Sequence, residues 1–338
     1  MRRPTLKDVA EATGYSASTV SRALAGSPQI SESTRRRIGA AARRLGYQAD
    51  PIGSLLRAPR PRVLGLLCRL DQELHVVYRD HILARAEAHG LRLVTESVGP
   101  LRGAGEAIGN LHRLRCQTLI IIDPATVAQA EPALLEGSVT IGQQRPVAAS
   151  DLVTSDNSGG MAQLIDHLRG LGHRRLLYID STPGVSADAR RRAFQQAAGQ
   201  AGLAFHTVAG GADVDSGLAA LAPLLDRAGG LRTAPGQEPC TAVVCYNDQC
   251  AQGAIIAALR VGLRPGADLS VAGVDNSRLA ASAAFDLTSI DRSPAEVARL
   301  AVELAEARVE SGSPAHEPVS RTVGTTLVPR SSTGPARR

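Results

Sequence analysis

The 338 residues contain no tryptophan, three phenylalanines and five tyrosines. Any core must therefore be aliphatic, built from leucine, valine, isoleucine and alanine. Lysine is almost absent as well: Lys7 stands alone, and the other basic residues are all arginine. The five cysteines, Cys68, Cys116, Cys240, Cys245 and Cys250, form no CxxC pair, which argues against a zinc or dithiol site and for buried reduced thiols. No run of roughly 18 apolar residues is available to span a bilayer, and the N-terminus lacks the roughly 7–15-residue apolar stretch of a secretory signal. The expected location is cytoplasmic, with no membrane partner. The chain has neither a P-loop nor a GxGxxG fingerprint, since VLGLLCRLD carries one glycine where three are needed. No nucleophile elbow occurs. Catalytic residues, a cofactor and a metal are therefore not expected, nor is an enzyme. No heptad run closes the chain, and the final SSTGPARR reads as a frayed tail.

What is present is a 43% hydrophobic composition, ample for globular cores, and an uneven charge. Residues 1–62 hold 12 basic and four acidic residues, a net +8, while the remainder holds 26 basic and 28 acidic residues, a net −2. Clustered positive charge of this kind suits contact with phosphates; a basic tail that only solubilises the chain is the alternative. Within that segment, TLKDVAEATGYSASTVSRALAGSP reads as two short helices and a turn. Leu6, Val9 and Ala10 share a face, Thr5 is an N-cap, and Gly14 supplies a positive φ. Ser16 caps the second helix, which turns Val20, Ala23 and Leu24 inward. Ser31 opens a third helix, SESTRRRIGAAARRLGY, with Ile38, Ala41, Ala42 and Leu45 inward and Gly46 at its end. This is a helix-turn-helix whose second helix suits the DNA major groove. In DPIGSLLRAPRPR, Asp50 and Pro51 can start one or two helical turns that Pro59 and Pro61 stop.

From Val63 the pattern changes to short apolar runs (VLGLLC, LRLVTE, TLIIID, SVTIG, then RLLYID, LAFHTV, TAVVCY, LSVAGV) separated by helical stretches such as Val76–His89. That alternation predicts parallel sheets covered by helices, in two α/β halves with a ligand cleft between them.

Together these features resemble the lactose/galactose repressor (LacI/GalR) family of bacterial transcriptional regulators. The resemblance rests on TLKDVAEATGYSASTVSRAL with ISESTRRRIGAAARRLGY, on Leu171–His173, on CYND at Cys245–Asp248 and on SVAGVDNS at Ser270–Ser277, and it covers nearly the whole chain. It implies an α/β protein with an N-terminal three-helix domain (1–48), a hinge helix and linker (49–62), and a periplasmic-binding-protein-like effector and dimerisation domain (63–338). Within the last, one subdomain would span 63–157 and 289–320, the other 158–288 and 321–330. It further implies a repressor that binds a near-palindromic operator as a homodimer, under allosteric control by a small-molecule effector such as a sugar or related polar metabolite.

On the resemblance, Ala17 and Ser18 would meet base edges and Arg22 would read guanine bidentately. Thr5, Ser16, Thr19, Ser21, Ser31 and Thr34 would contact phosphates, although Ser16 equally reads as a cap. Leu56 would wedge into the minor groove, in a hinge where Gly53 stands in place of the usual alanine. Ala17 departs from members with larger residues and offers only a methyl contact.

Effector contacts implied by the resemblance are His75, Asp156, Arg190, Asn247, Asp275 and Arg292. Asp248 reads as the cap of the helix after CYN. The family's frequent aromatic stacking position falls on Ala212, and Val76 replaces another, so the effector's identity stays open.

Overall fold

Residues 4–24, 26–47, 62–226, 230–232, 238–311 and 317–337 are described in the computed structural model of the chain, and they divide into two units, Met1–Pro61 and Arg62–Arg338. The first unit holds α1 (Leu6–Thr13), α2 (Ala17–Leu24) and α3 (Glu32–Leu45). Helices this short are marginal alone; they are held by their ends and by one small core. Thr5 caps α1 reciprocally: its hydroxyl accepts from the Asp8 amide, and the Asp8 carboxylate accepts from the Thr5 amide at 2.6 Å. Gly14, at φ +75°, ends the helix in the left-handed conformation. Val9, Ala10, Val20, Ala23, Ile38 and Ala42 form the core, with Leu6, Tyr15, Leu24 and Leu45 packed at its edge. Of the hinge and linker expected at 49–62, residues 49–61, with Gly53 and Leu56, lie outside the described residues.

The second unit opens with β1 (Val63–Cys68), α4 (Glu73–Ala88), β2 (Arg92–Ser97), α5 (Ala104–Arg113), β3 (Thr118–Ile122), β4 (Val139–Ile141) and β5 (Asp151–Ser155). A second series follows: α6 (Asn157–Gly170), β6 (Arg175–Ile179), α7 (Val185–Gln200), β7 (Ala204–Val208), α8 (Val214–Leu221), the short pair β8 (Leu225–Asp226) and β9 (Gly230–Leu231), β10 (Ala242–Cys245), α9 (Asp248–Arg260), β11 (Ser270–Val274) and β12 (Thr288–Asp291). The chain then returns through α10 (Pro294–Ser311) and β13 (Ser320–Val323) to β14 (Thr326–Val328).

Two six-stranded sheets result. The first has the order β13-β5-β4-β3-β1-β2 and is parallel throughout; the second has the order β14-β12-β11-β10-β6-β7, with only β14 antiparallel. Strands β1, β3 and β11 are buried along their whole length, as parallel strands covered on both faces must be. Helices α4 and α10 seal one face of the first sheet around Tyr78, Ile82, Val297 and Val302. Phe194 on α7 and Met161 and Leu164 on α6 seal one face of the second, and α8 and α9 close the other. Arg308 pins α10 to β5 by a buried two-pronged pair with Asp151, both bonds 2.8 Å.

The chain crosses between the lobes three times, after β5, after β12 and after β13. Because β12 pairs with β11 and β13 pairs with β5, residues 289–291 belong to the second lobe and 321–323 to the first. These two crossings therefore fall three residues later than the sequence suggested. A second correction concerns the C-terminus, which does not fray before Arg337. The Val271 amide donates to Ser332 O at 2.8 Å, and the Ala336 amide donates to Leu171 O at 2.9 Å. The tail thus packs on the start of β11, with Ser332 and Thr333 buried. All five cysteines are free thiols.

Candidate functional site

In the first unit, α2 presents Ala17, Ser18, Ser21 and Arg22 outward, opposite the buried Val20 and Ala23. Ser18 and Arg22 lie one turn apart, and Arg22 Nη2 donates to Ser18 Oγ at 3.0 Å. The arginine thus lies along the exposed face before anything binds. Ser16 does cap α2, accepting from the Thr19 amide at 3.1 Å, and its hydroxyl lies 2.9 Å from that of Thr19. Ser31 caps α3 by accepting from the Thr34 amide at 3.3 Å and donates to the Thr34 hydroxyl at 2.8 Å. Thr5, Ser16 and Ser31 therefore place an exposed hydroxyl at each of three helix N-termini, where the dipole and amide donors favour an anion. Leu56 lies outside the described residues.

In the second unit, a cavity of about 390 Å³ opens between the lobes, at the carboxyl ends of the strands. It brings together His75, Arg190, Asn247, Asp275 and Arg292. Asp156 is not among them. It caps α6, its Oδ1 accepting from the Gly159 amide at 3.0 Å, and it borders a separate depression with Gln143 and Arg192. Asp156, expected as an effector contact, thus lies outside the lining of the interlobe cleft.

His75 comes from the first turn of α4. Its Nδ1 accepts from the Arg69 amide at 3.0 Å, which leaves Nε2–H as the donor it can offer. Burial, together with Arg69 and Arg292 and against the pull of Asp123, lowers its pKa to about 4, so the ring is neutral. Arg190 on α7 is 3% exposed; its Nη1 donates to Tyr246 O, and its guanidinium lies 4.3 Å from the Tyr246 ring centroid. Asp275 stands 3.9 Å from Arg190 and 3.8 Å from Arg292, too far for a direct hydrogen bond. Burial pushes its carboxyl up while both guanidiniums pull it down. Asp275 Oδ1, Arg190 Nε and Arg292 Nε are buried without a hydrogen-bond partner. Such groups are costly in a dry interior and are the kind that ligand hydroxyls satisfy.

Asn247, not Asp248, caps α9, accepting from the Cys250 amide at 2.9 Å; its Nδ2 donates to Ala212 O at 2.9 Å. The carboxylate of Asp248 turns inward to accept from the Ser277 amide and the Ser289 hydroxyl, which corrects the capping role read from the sequence.

Sequence reasoning missed four contributors. Arg69 and Asp71 pair at 2.6 Å on one wall. Asp123 is held at φ +62° after β3, and its Oδ2 accepts from the Ser186 hydroxyl of the opposite lobe at 3.3 Å. Tyr246 is the aromatic of the cleft, and its position within CYND was the signal available. Among the described residues, no group of three or more His, Cys, Asp and Glu side chains could hold a metal ion, and no helix is long and apolar enough to cross a membrane.

Comparison with known proteins matches residues 5–50 to the family described as bacterial regulatory proteins, lacI family, and residues 165–333 to the periplasmic binding protein-like domain. The HTH-type transcriptional regulator GalS of Salmonella typhimurium is 29% identical over 310 residues, covering 89% of this chain and 88% of that protein. A crystal structure of a LacI transcriptional regulator from a Rhodococcus species is 29% identical with a TM-score of 0.73, covering 82% of this chain and 100% of that one. A transcriptional regulator CelR–cellobiose complex is 25% identical with a TM-score of 0.67, covering 98% and 100%.

Proposed function

The chain belongs to the lacI family of bacterial regulatory proteins, and on that premise we propose that it is a transcriptional repressor governed by a small polar effector, with a sugar as the first candidate. It acts as a homodimer on a near-palindromic operator in the cytoplasm, by binding and not by turnover. One observation carries the reading: a single chain joins an exposed helix face bearing Arg22 to an interlobe cleft lined by buried, unpartnered polar groups.

Two recognition helices, one from each protomer, enter successive major grooves. Arg22 and Ser18 read bases, Ala17 offers a methyl, and Thr5, Ser16, Thr19, Ser21, Ser31 and Thr34 set the register on phosphates. The effector engages His75, Arg190, Asn247, Asp275 and Arg292. The likeness to the CelR–cellobiose complex supports a sugar of that kind. Ligand affects operator affinity only through unequal affinity for two lobe arrangements. His75 and Arg292 approach the cleft from different chain segments than Arg190 and Asn247, so lobe closure changes what the ligand touches.

Selection of operator sequences from a random duplex library by the purified protein, with footprinting and a thermal-shift screen of sugars, tests the proposal. Recovery of only salt-dependent, sequence-independent binding without a footprint would overturn it.

A further inference from the structure

The polar pair Asn247 and Asp275 belongs to two separate segments, one just before α9 and the other just after β11. Between them lies a carboxylate outside the cleft lining. Asp248 is 1% exposed. Its Oδ2 accepts from the Ser277 amide at 2.7 Å. Its Oδ1 accepts from the Ser289 hydroxyl at 2.6 Å, and Ser289 Oγ in turn accepts from the Asn276 amide at 2.9 Å. Both amides belong to the loop that starts at Asp275.

That loop is strained. Asp275 has φ +112° and Asn276 φ +49°, two consecutive non-glycine residues in a conformation that persists only where the surroundings over-determine it. The Asp275 amide donates to Ile290 O at 2.9 Å, and Asn276 Nδ2 donates to Asp291 at 2.7 Å. Asp248 adds the constraint that ties the loop to α9. Gly273 makes the approach possible, because a Cβ there would collide with Asp248 Oδ1 and stand 3.1 Å from Asp248 Cα.

We propose that Asp248 is a positioning residue of the cleft: by holding Ser277 directly and Asn276 through Ser289, it fixes the separation and orientation of Asn247 and Asp275. Its consequence for ligand selection rests on the effector reading above; the mechanical claim does not. Burial, with Asp275 nearby, raises its carboxyl to about 8, so the group is kept inside at a cost that a helix cap alone would not require. It is also the one residue bonded to the Asp275 loop that is chain neighbour to Asn247.

The test compares full-length wild type with Asp248→Ala, Asp248→Asn and Ser289→Ala by amide hydrogen exchange and crystallography. In Asp248→Ala the Asn276 and Ser277 amides should exchange at least ten-fold faster, with α9 and β10 unchanged and Asp275 relaxed from its positive φ. Asp248→Asn keeps an acceptor for Ser277 and should restore most of the protection. If Asp248→Ala does not fold, Ser289→Ala cuts only the relayed arm and should expose Asn276 alone. Unchanged exchange and unchanged φ in the folded variants would overturn the proposal. A parallel thermal-shift titration of wild type with D-glucose, D-galactose and cellobiose bears only on the effector reading, so the two failures are distinguishable.

Discussion

The Arg190 guanidinium lies 4.3 Å from the centre of the Tyr246 ring and donates to the Tyr246 carbonyl oxygen. The contact joins α7 to the segment before α9 and places Tyr246 in the lining of the cleft, where the resemblance had pointed to Ala212 as the stacking position. Ala212 lines the same cavity, but it contributes its carbonyl, which receives Asn247 Nδ2. The aromatic ring of the cleft lining thus lies beside a cation.

Replacing Tyr246 should therefore reveal whether the ring carries affinity. Tyr246→Leu is expected to weaken effector binding by roughly two- to ten-fold, on the scale of about 0.5–1.5 kcal/mol for a lost aromatic contact, while Tyr246→Phe keeps most of it. Calorimetric titration with a sugar found by thermal shift measures this. Equal losses in Leu and Phe variants would instead point to the hydroxyl.

For DNA, the bond from Arg22 to Ser18 makes an ordered pair of predictions. Arg22→Ala should cost about 1–3 kcal/mol on operator and almost nothing on scrambled duplex, because a bidentate base contact is lost. Ser18→Ala removes one hydrogen bond that holds the arginine and should cost less, about 0.5–1.5 kcal/mol. Competition binding against single-base operator variants separates them; an equal loss on scrambled DNA would assign Arg22 to phosphate.

The three N-terminal helices were legible because their caps are local: Thr5 pairs with Asp8, Ser16 with Thr19 and Ser31 with Thr34, each three residues apart. The buried strands were legible as apolar runs. β5, β12, β13 and β14 were not singled out, since short strands such as TSID carry little apolar signal and are defined by their neighbours. The same limit governs the site. Asn247 and Asp248 are adjacent and equally able to cap, and the choice is made by Ser277 and Ser289, which lie 29 and 41 residues from Asp248. Asp156 shows the converse, because the donor to its carboxylate, the Gly159 amide, is local. Tyr246 was missed because Arg190 stands 56 residues away.

The buried histidines predict an acid limb of stability. The folded chain holds His75 neutral, its pKa lowered from 6.5 to about 4 chiefly by burial. A depressed histidine favours folding fully above about pH 6.5 and loses that contribution as the pH falls towards 4. The loss for His75 comes to about 3 kcal/mol at pH 4. His167 and His173, also lowered by burial, act in the same direction. Urea midpoints between pH 4 and 8 should fall on the acid side, and His75→Gln should flatten part of the slope. An identical slope in that variant would remove His75 from the account.

The C-terminal tail gives the sharpest disagreement between composition and packing. Its proline, glycine and terminal arginines suggest fraying, yet the Ser332 side chain is 1% exposed and bridges two strands: its Oγ accepts from the Thr288 amide at 2.8 Å and donates to Val271 O at 2.7 Å. Gly334 lies within hydrogen-bonding distance of His173 Nε2, and its amide donates to Ser270 Oγ at 3.0 Å. Removing residues 331–338 leaves these partners to water or unpaired, at about 0.5–1.5 kcal/mol per bond. The truncation should therefore destabilise the second lobe by several kcal/mol in denaturant unfolding. Ser332→Ala alone should cost about 1–3 kcal/mol, because the Thr288 amide is then buried without its acceptor. A truncated chain that unfolds at the wild-type urea concentration would mean the tail adds nothing to the lobe.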